Sequence, residues 1–312
     1  MRFGYGMSGT IIFSLDCEGK WGVADHLSEM HHEHLTDTNL RATYVRILKA
    51  FAERNVPATF AGVGLFAMDD LSFTHLDKDA IAQRLPYTKF AIDDLQEGSG
   101  EGWRAPWFRD IVGDAHEIAS HGATHTPFDA MDSSQVDFEL SLLSPQDGST
   151  LVFPRNRIAH LDAIAKRFVG YREAPAHRSR LASLASEIDL TAKSQMPPRA
   201  VKCDDAQIAA IPSGYFINWK AHLRRFVPTS VTRLRCRQIM RHAANTGGVA
   251  HFWTHPENIA THPATMNNLL GLIEDAANLR EAGKADILTQ RAYCGNGDGL
   301  KERQTAQLDC VG

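Results

Sequence analysis

Cysteine is scarce in this chain of 312 residues, and its placement excludes two common roles. The five cysteines (Cys17, Cys203, Cys236, Cys294 and Cys310) are odd in number and far apart. Because they contain no Cys-x-x-Cys pair, the sequence has neither a zinc ribbon nor a dithiol redox motif. Reduced thiols are expected, as in proteins of reducing compartments.

Long apolar runs and an excess of basic charge are also lacking. No stretch approaches the roughly 20 apolar residues of a membrane-spanning helix, and the first ten residues lack the apolar core of a signal peptide. We therefore expect a cytoplasmic protein without an integral membrane segment. The 33 basic residues are outnumbered by 37 acidic ones, giving a formal charge of -4. Nucleic acid is therefore not an expected partner.

What the sequence does contain is the pattern of one α/β domain, without internal repeats or low-complexity blocks. Short apolar, β-branched runs alternate with helical periodicities, beginning with a strand over residues 10–15 and a helix over 39–54. This alternation predicts parallel strands joined by right-handed crossovers. About seven strands favour a distorted (β/α)7-type parallel barrel over an open doubly wound sheet.

The expected catalytic domain covers residues 1–295, with insertions near 64–114 and 175–230 and a loose tail at 296–312. The first insertion is acidic and is predicted to hold short helices. The second contains the Pro197-Pro198 break and many basic residues, and we interpret it as a lid that contributes to specificity.

Four short polar motifs each follow a predicted strand. They are Asp16-Cys17-Glu18-Gly19, His121-Gly122-Ala123-Thr124-His125, Pro154-Arg155-Asn156 and Trp253-Thr254-His255-Pro256. In a parallel barrel the carboxyl ends of the strands meet on one face, where active sites lie. Acids, paired histidines, an arginine and a last histidine are the groups of a mononuclear metal hydrolase, so their shared position predicts an enzyme.

The first motif places two carboxylates at the end of a buried strand. Strand alternation points Asp16 and Glu18 to the same face and turns Cys17 toward the packed interior. A solvated turn is the alternative. Two buried carboxylates are costly without a compensating cation or donors, which favours a functional pair that divides the roles of metal ligand and general base.

The histidine motifs require the same weighing. A four-residue spacing lets His121 and His125 share one metal ion, but His251 and His255 repeat that spacing, so spacing alone does not separate ligands from structural histidines. His255 ends its strand and could protonate a leaving amine. His251 lies deeper in the strand and is interpreted as a hydrogen-bonded core histidine.

Two further features have weaker functional interpretations. Arg155 could hold a carboxylate in its ionised form through its planar fork of donors, although a surface arginine is an equal alternative. The adjacent histidines His31, His32 and His34 are interpreted as solvated or lid residues rather than as a metal site.

Taken together, the motifs resemble those of the polysaccharide deacetylase family, the NodB-homology carbohydrate esterases, over residues 10–289 with the insertions unmatched. The resemblance implies a distorted parallel barrel. It identifies Asp16 as the base and Glu18, His121 and His125 as the ligands of one divalent metal ion, with zinc expected. The first motif is an Asp-x-Glu form, where the usual family pattern has adjacent aspartates.

The same resemblance implies that Arg155 steadies Asp16 and that His255 is the acid. The order of proline and arginine in Phe153-Pro154-Arg155-Asn156 differs from the common family form. The family's tryptophan motif has only the weak candidate Asn218-Trp219.

The implied reaction removes an N-acyl group, foremost N-acetyl, from an amino sugar or glycan. The expected substrate is nucleotide-linked or lipid-linked, or a growing glycan, in surface polysaccharide biosynthesis. Two alternatives stay open at this point: a metal-independent hydrolase of a non-sugar cyclic amide on the same barrel, and a non-catalytic glycan-binding relative. The sequence predicts no organic cofactor and leaves the oligomeric state open.

Overall fold

A single curled sheet runs through the centre of the protein. The computed structural model describes residues 8–97, 100–176, 180–196, 199–204 and 206–295, and within these ranges the sheet has ten strands. They are β1 (Gly9–Cys17), β2 (Thr59–Gly62), β3 (Glu117–Ser120), β4 (Thr150–Val152), β5 (Gly170–Arg172), β6 (Arg199–Cys203), β7 (Ala206–Ile211), β8 (Tyr215–Phe216), β9 (Val249–Thr254) and β10 (Ala285–Leu288).

The strand order is β6-β7-β5-β4-β3-β2-β1-β9-β8, with β10 beside β1. Strand β1 is the hub, because it pairs in parallel with β9 on one side and with β2 and β10 on the other. Only the β6–β7 pair is antiparallel among the described strand pairs. An antiparallel bridge from Gln195 to Val249 connects the chain before β6 to β9, so the two ends of the sheet approach each other. The predicted distorted parallel barrel is confirmed.

Helices connect the strands. They are α1 (Glu29–His34), α2 (Asp37–Ala52), α3 (Gly64–Ala67), α4 (Asp70–Thr74), α5 (Lys78–Arg84), α6 (Lys89–Glu97), α7 (Phe108–Val112), α8 (Ser133–Ser141), α9 (Leu161–Ala165), α10 (Arg180–Glu187), α11 (Thr229–Thr246), α12 (Pro256–Thr261), α13 (Thr265–Glu281) and α14 (Gln290–Gly295). Short 3-10 turns lie at Gly19–His26, Pro86–Thr88, Phe128–Ala130, Pro145–Asp147, Pro154–Asn156 and His222–Phe226.

Local sequence explains where the main helices begin and end. Helix α2 starts after Thr36, whose hydroxyl accepts a hydrogen bond from the Asn39 amide. Helix α8 starts with a capping box between Asp132 and Gln135. Helix α11 stops at Gly247, which adopts a left-handed conformation with φ of 68°.

The two segments interpreted as insertions differ from each other. Residues 64–114 form α3 to α7, the expected short helices. The segment 175–230 instead contributes to the sheet, since β7 pairs in parallel with β5 and β8 pairs in parallel with β9. The last four residues of its strand Ala206–Ile211 are buried. The many basic residues of the segment hid this strand in the sequence.

The core lies between the sheet and the surrounding helices. Alternate residues of β1 such as Ile11, Phe13 and Leu15 are fully buried. The described cysteines are buried thiols outside any disulfide, while Cys310 and the tail 296–312 lie outside the described residues. Among the described helices, none combines the length and apolar character needed to cross a bilayer.

Candidate active site

The carboxyl ends of the parallel strands bring the predicted side chains together. Asp16 is the next-to-last residue of β1, and Glu18 directly follows that strand. His121 and His125 follow β3, and His255 follows β9. Strands β1 and β9 are direct neighbours, and β3 is separated from β1 only by β2. Because the strands run in the same direction, these groups lie together at one end of the barrel.

Imidazole nitrogens surround one oxygen of Glu18. Its Oε1 lies 2.9 Å from Nε2 of His121 and 3.1 Å from Nε2 of His125. His255 Nε2 is 3.5 Å from the same oxygen. Burial alone would raise the pKa of Glu18, but the imidazole charges, that of His125 first, hold it well below its usual value. Glu18 therefore stays ionised.

The hydrogen bond of His121 to Val152 leaves its other ring nitrogen facing Glu18. Nδ1 of His121 donates to the backbone carbonyl of Val152 at 2.7 Å. A neutral imidazole has only one N–H, so Nε2 then presents a lone pair to the Glu18 carboxylate. Two acceptors at 2.9 Å repel each other unless a proton or a metal ion lies between them. A buried carbonyl that orients the ring through Nδ1 is the usual support of a metal-binding histidine.

The ligand set fits a divalent ion. In the described residues, the groups of three potential ligands are Glu18 with His121 and His125, and Asp16 with Glu18 and His255; the ligand atoms of each group lie within 4.8 Å of one another. Two imidazoles and a carboxylate with room for further ligands suit zinc and similar ions. The histidines of helix α1 are not part of either of these groups.

A buried glutamate that the sequence reasoning missed holds the histidine loop. Glu139 of α8 accepts hydrogen bonds from the amides of Ala123 and Thr124 at 2.7 and 2.9 Å and from the Thr124 hydroxyl at 2.7 Å. Gly122 takes a φ of 73°, which a side chain would oppose. Burial raises the pKa of Glu139 despite these donors. Hydrogen bonds to Glu139 thus hold the loop that carries His121 and His125 in place.

The arginine that pairs with Asp16 is Arg172, at the end of β5. Its guanidinium donates from Nη1 to Oδ1 and from Nη2 to Oδ2, both at 2.7 Å. Both side chains are buried, and Arg172 also lies 4.4 Å over the ring of Trp253. Burial would raise the pKa of Asp16, but the Arg172 charge, together with the charges of His121 and His255 and the hydrogen bond from Arg172, keeps that pKa below its usual value.

The predicted contact of Arg155 with Asp16 is therefore wrong. Arg155 has a left-handed φ of 55°, which turns its guanidinium toward Asp25 of the 3-10 segment, 2.7 Å away. Its motif still reaches Asp16 indirectly, because Asn156 accepts a hydrogen bond from Arg172 at 3.0 Å. Arg155 also lies near the ligands: burial is the main cause of a lowered pKa of His125, and the Arg155 charge adds a smaller effect.

His255 lies where the site opens to solvent. Its Nε2 is 3.8 Å from Oδ2 of Asp16, and its Nδ1 is 3.2 Å from the Asn258 amide nitrogen. Burial lowers its pKa, but the carboxylates of Glu18 and Asp16 outweigh burial and raise the pKa to about 9. In the metal-free protein His255 is thus protonated at neutral pH.

His251 has the structural role predicted for it. It is fully buried, with Nε2 2.8 Å from the Ser14 hydroxyl and Nδ1 2.7 Å from the Pro212 carbonyl. Burial, with Arg172 as a smaller cause, lowers the pKa of His251 to about 3. It is a neutral core histidine that supports the Asp16–Arg172 layer through Ser14, which also lies 3.3 Å from Arg172 Nη1.

Glu257 supports the Glu18 backbone and was also missed. Its Oε1 accepts from the amides of Glu18 at 3.1 Å and Gly19 at 2.7 Å, and from the Tyr44 hydroxyl at 3.3 Å. Burial and the Glu18 charge raise the pKa of Glu257 to about 7. On the other side of Glu18, a Cβ at Gly22 would overlap Oε2, so only glycine leaves room for this carboxylate.

A cleft of about 910 Å³ opens onto Glu18 and His255. Aromatic side chains from the segment after β5 and from β9 form one wall, namely Tyr215, Phe216, Trp219 and Trp253. Residues of the 3-10 segment Gly19–His26 and of α1, including His26 and His31, also line the cleft. The lid-like segment predicted from sequence therefore lines the cleft as well as extending the sheet.

The fold of this protein is similar to those of several solved structures. No family model matches the sequence, and no curated protein matches it. Among solved structures, a protein described as a polysaccharide deacetylase from Mycobacterium smegmatis has a TM-score of 0.60 and 13% identity, over 97% of this chain and 94% of its own. A second one, from Pseudomonas aeruginosa PAO1, has a TM-score of 0.53 and 15% identity, over 91% and 89%.

The comparison also includes an enzyme that acts on another class of compound. An allantoinase has a TM-score of 0.56 and 14% identity, over 91% of this chain and 88% of its own. At these identities the similarity shows the fold alone. The family resemblance read from the motifs is thus confirmed as a shared fold.

Proposed function

We propose that this protein is a metal-dependent hydrolase that removes an N-acyl group, foremost acetyl, from an amino sugar or glycan. The observation that carries the proposal is the convergence of His121, His125 and Glu18 beside the Asp16–Arg172 pair. The fold shared with two proteins described as polysaccharide deacetylases supports it. A nucleotide-linked or lipid-linked sugar of surface polysaccharide biosynthesis is the proposed substrate, and zinc is the proposed ion.

A divalent ion held by Glu18, His121 and His125 would supply Lewis-acid activation of the amide carbonyl and of water. Asp16 lies beside these ligands with both carboxylate oxygens fixed by Arg172, so it is oriented to accept the proton of the attacking water. The oxygen of that water forms a bond to the carbonyl carbon as the proton moves to Asp16.

His255 completes the reaction at the other end of the amide. It is protonated at neutral pH in the metal-free protein and lies on the cleft side of Asp16. An amine leaves poorly unless it is protonated, so a proton from His255 Nε2 to the sugar nitrogen allows the C–N bond to break. The products are the free amino sugar and a carboxylic acid.

Metal content tests the ligand assignment directly. We expect about one divalent ion per wild-type chain and a loss of the ion in the double variant His121→Ala with His125→Ala. The matched control is His32→Ala with His34→Ala, which removes two histidines of α1 outside the ligand groups. An unchanged metal content in the first double variant would contradict the assignment.

The role of Asp16 has its own test. Asp16→Asn preserves shape but removes the base, and we expect acid release from an N-acetyl sugar to fall by about 100-fold or more. Circular dichroism and the thermal midpoint check that the variant is folded. Full activity in a folded Asp16→Asn protein would place the general base elsewhere.

A second candidate, hydrolysis of a non-sugar cyclic amide without metal, is favoured by the structural similarity to an allantoinase. The Asp16–Arg172 pair and His255 would serve such a reaction as well. Activity of protein stripped with a chelator distinguishes the two. Retained hydrolysis of a cyclic ureide, with none of N-acetyl sugars, would replace the first proposal by the second.

A further inference from the structure

Two arginines share one carboxylate in the wall of the cleft. Arg235 of α11 donates from Nη1 to Oε2 of Glu187 at 2.7 Å. Nη1 of Arg224, in the turn His222–Phe226, is 3.7 Å from the other oxygen of Glu187. Arg235 and Glu187 are buried, whereas 28% of the Arg224 side chain is exposed. One carboxylate for two guanidinium groups leaves a surplus positive charge on the exposed one.

The other charges around the cleft do not cancel this surplus. In the described part of the chain, the acidic side chains that line the cleft are Glu18, Glu187 and Glu257. Two of them, Glu18 and Glu257, lie at the end of the cleft beside the proposed metal ligands Glu18, His121 and His125, which we call the metal-ligand end. His222 also lines the cleft near Arg224 and adds no negative charge. The chain as a whole carries a formal charge of -4, so the local charge is opposite to the overall one.

The surplus charge lies within reach of a substrate bound at His255. The guanidinium of Arg224 is 5.4 Å from the ring centre of Phe216. That ring centre is 5.9 Å from the imidazole of His255. A single aromatic ring therefore separates the proposed acid from the arginine, and a sugar ring that packs on Phe216 would direct one substituent toward Arg224.

Arginine recognises a particular chemistry at such a position. Its planar fork of N–H donors matches the two oxygens of a carboxylate or phosphate, and charge-assisted hydrogen bonds are stronger than neutral ones. The aromatic wall and the buried Glu187–Arg235 pair limit access of water, so an anion would be attracted more strongly here than on an open surface.

We propose that the substrate carries an anionic group, a carboxylate or a phosphate ester, and that Arg224 binds this group one aromatic ring away from His255. Arg235 acts through Glu187 and is a positioning residue, because it holds the carboxylate that orients Arg224. This inference rests on the proposed function and names the class of substrate for the same site.

The test compares one neutral and two anionic N-acetyl sugars: N-acetylglucosamine, its 6-phosphate, and N-acetylmuramic acid. Wild-type protein is expected to have a lower KM for an anionic sugar. In Arg224→Gln the KM of that sugar should rise about 10-fold, the effect of losing one charge-assisted hydrogen bond, with kcat and the neutral sugar unchanged. Which anion responds more distinguishes carboxylate from phosphate.

The matched control is the next residue. Arg225 is exposed and its guanidinium lies 4.8 Å over the ring of Phe226, outside the cleft lining. Arg225→Gln removes the same charge from the same turn and should leave every KM unchanged. Calorimetric binding of the anionic sugar to Asp16→Asn protein, with and without Arg224→Gln, measures the site without turnover, and the Kd should also rise about 10-fold.

The outcomes separate the two proposals. If the neutral sugar is hydrolysed and Arg224→Gln affects all sugars equally or not at all, the anion site is refuted and the deacylase proposal stands. If no N-acyl sugar is hydrolysed but binding of an anionic sugar still depends on Arg224, the deacylase proposal fails and the anion site stands. If Arg225→Gln raised the KM of the anionic sugar as much as Arg224→Gln, the effect would come from the overall positive charge of the turn, and the site would also be refuted.

Discussion

The two ends of the cleft are built in different ways. At the metal-ligand end, the functional groups lie at the ends of β1, β3, β5 and β9 and are held by buried hydrogen bonds, such as those from Arg172 to Asp16. At the other end, Phe216 comes from the short strand β8, Trp219 from a loop and Arg224 from a 3-10 turn, and all three are partly exposed. The central sheet thus positions the groups of the proposed chemistry, and the segment between β5 and α11 shapes what can enter.

This difference has a physical cause. A parallel sheet fixes its backbone through inter-strand hydrogen bonds, so a side chain at a strand end has little freedom. A turn at the surface keeps fewer such constraints and tolerates changes in sequence. We therefore expect substitutions at the metal-ligand end to reduce kcat and stability, and those at the other end to change KM.

The largest effect is expected for Arg172→Met. Removing this buried guanidinium leaves the Asp16 carboxylate without its partner, which costs roughly 3–5 kcal/mol in stability, and we expect kcat to fall about 100-fold. Urea unfolding and steady-state kinetics measure the two effects. Arg155→Met is the control, since its partner Asp25 is exposed. A larger kcat loss in Arg155→Met than in Arg172→Met would restore the arginine assignment made from the sequence.

The next effect concerns the histidine loop. Glu139→Gln keeps an acceptor but loses the charge that binds the Ala123 and Thr124 amides. We expect the affinity for the metal ion to fall about 10-fold to 100-fold, as for other residues that support metal ligands. Competition with a chromophoric chelator measures it. Glu257→Gln is the comparison for the Glu18 side. Wild-type affinity in a folded Glu139→Gln protein would show that the loop holds itself in place.

A smaller effect is expected at the other end of the cleft. Trp219 lines the cleft and is held by a hydrogen bond from its Nε1 to His262 at 3.1 Å. Trp219→Ala should raise the KM for an oligosaccharide by about 5-fold, a typical loss for one aromatic contact, and leave kcat unchanged. Phe226→Ala, at an exposed ring outside the cleft, is the control. A fall in kcat without a change in KM would move Trp219 to the chemical end.

The smallest effect is a pH dependence of stability in the metal-free protein. The folded-state pKa of His255 is raised from 6.5 to about 9, so its protonated form stabilises the fold. This contribution is complete below pH 6.5 and is lost as the pH rises through about 9. Urea unfolding of wild type and His255→Gln in chelator should show a difference that shrinks over this range. If the difference in the free energy of unfolding grew with pH instead, protonated His255 would not stabilise the fold.

Several parts of the site could be predicted because they are local in the sequence. The strand over residues 10–15, the two acids after it and the four-residue histidine spacing are all contained in short windows, and the structure brings them together. The core role of His251 followed from its depth in a strand. The roles of Asp16, Glu18, His121, His125 and His255 in catalysis and metal binding stay predictions until they are tested.

Arg172 shows why the rest could not be predicted. It lies 156 residues after Asp16, and β5 is four strands away from β1 in the sheet order. Only the curl of the sheet lets its guanidinium cross the interior and reach Asp16. A single arginine at the end of a three-residue strand gives no sign of this in the sequence. The sequence offered Arg155 instead, because its motif follows a clear strand.

The sequence by itself determined the alternation of strands and helices and the residues at the strand ends, because apolar periodicity and chain polarity are local properties. The tertiary structure alone decided which arginine pairs with Asp16, which buried glutamates hold the two ligand segments, and which surface arginine faces the cleft. Those choices depend on how far the sheet curls and which distant side chains then meet, since a buried charge is stable only beside the partner that the fold brings to it.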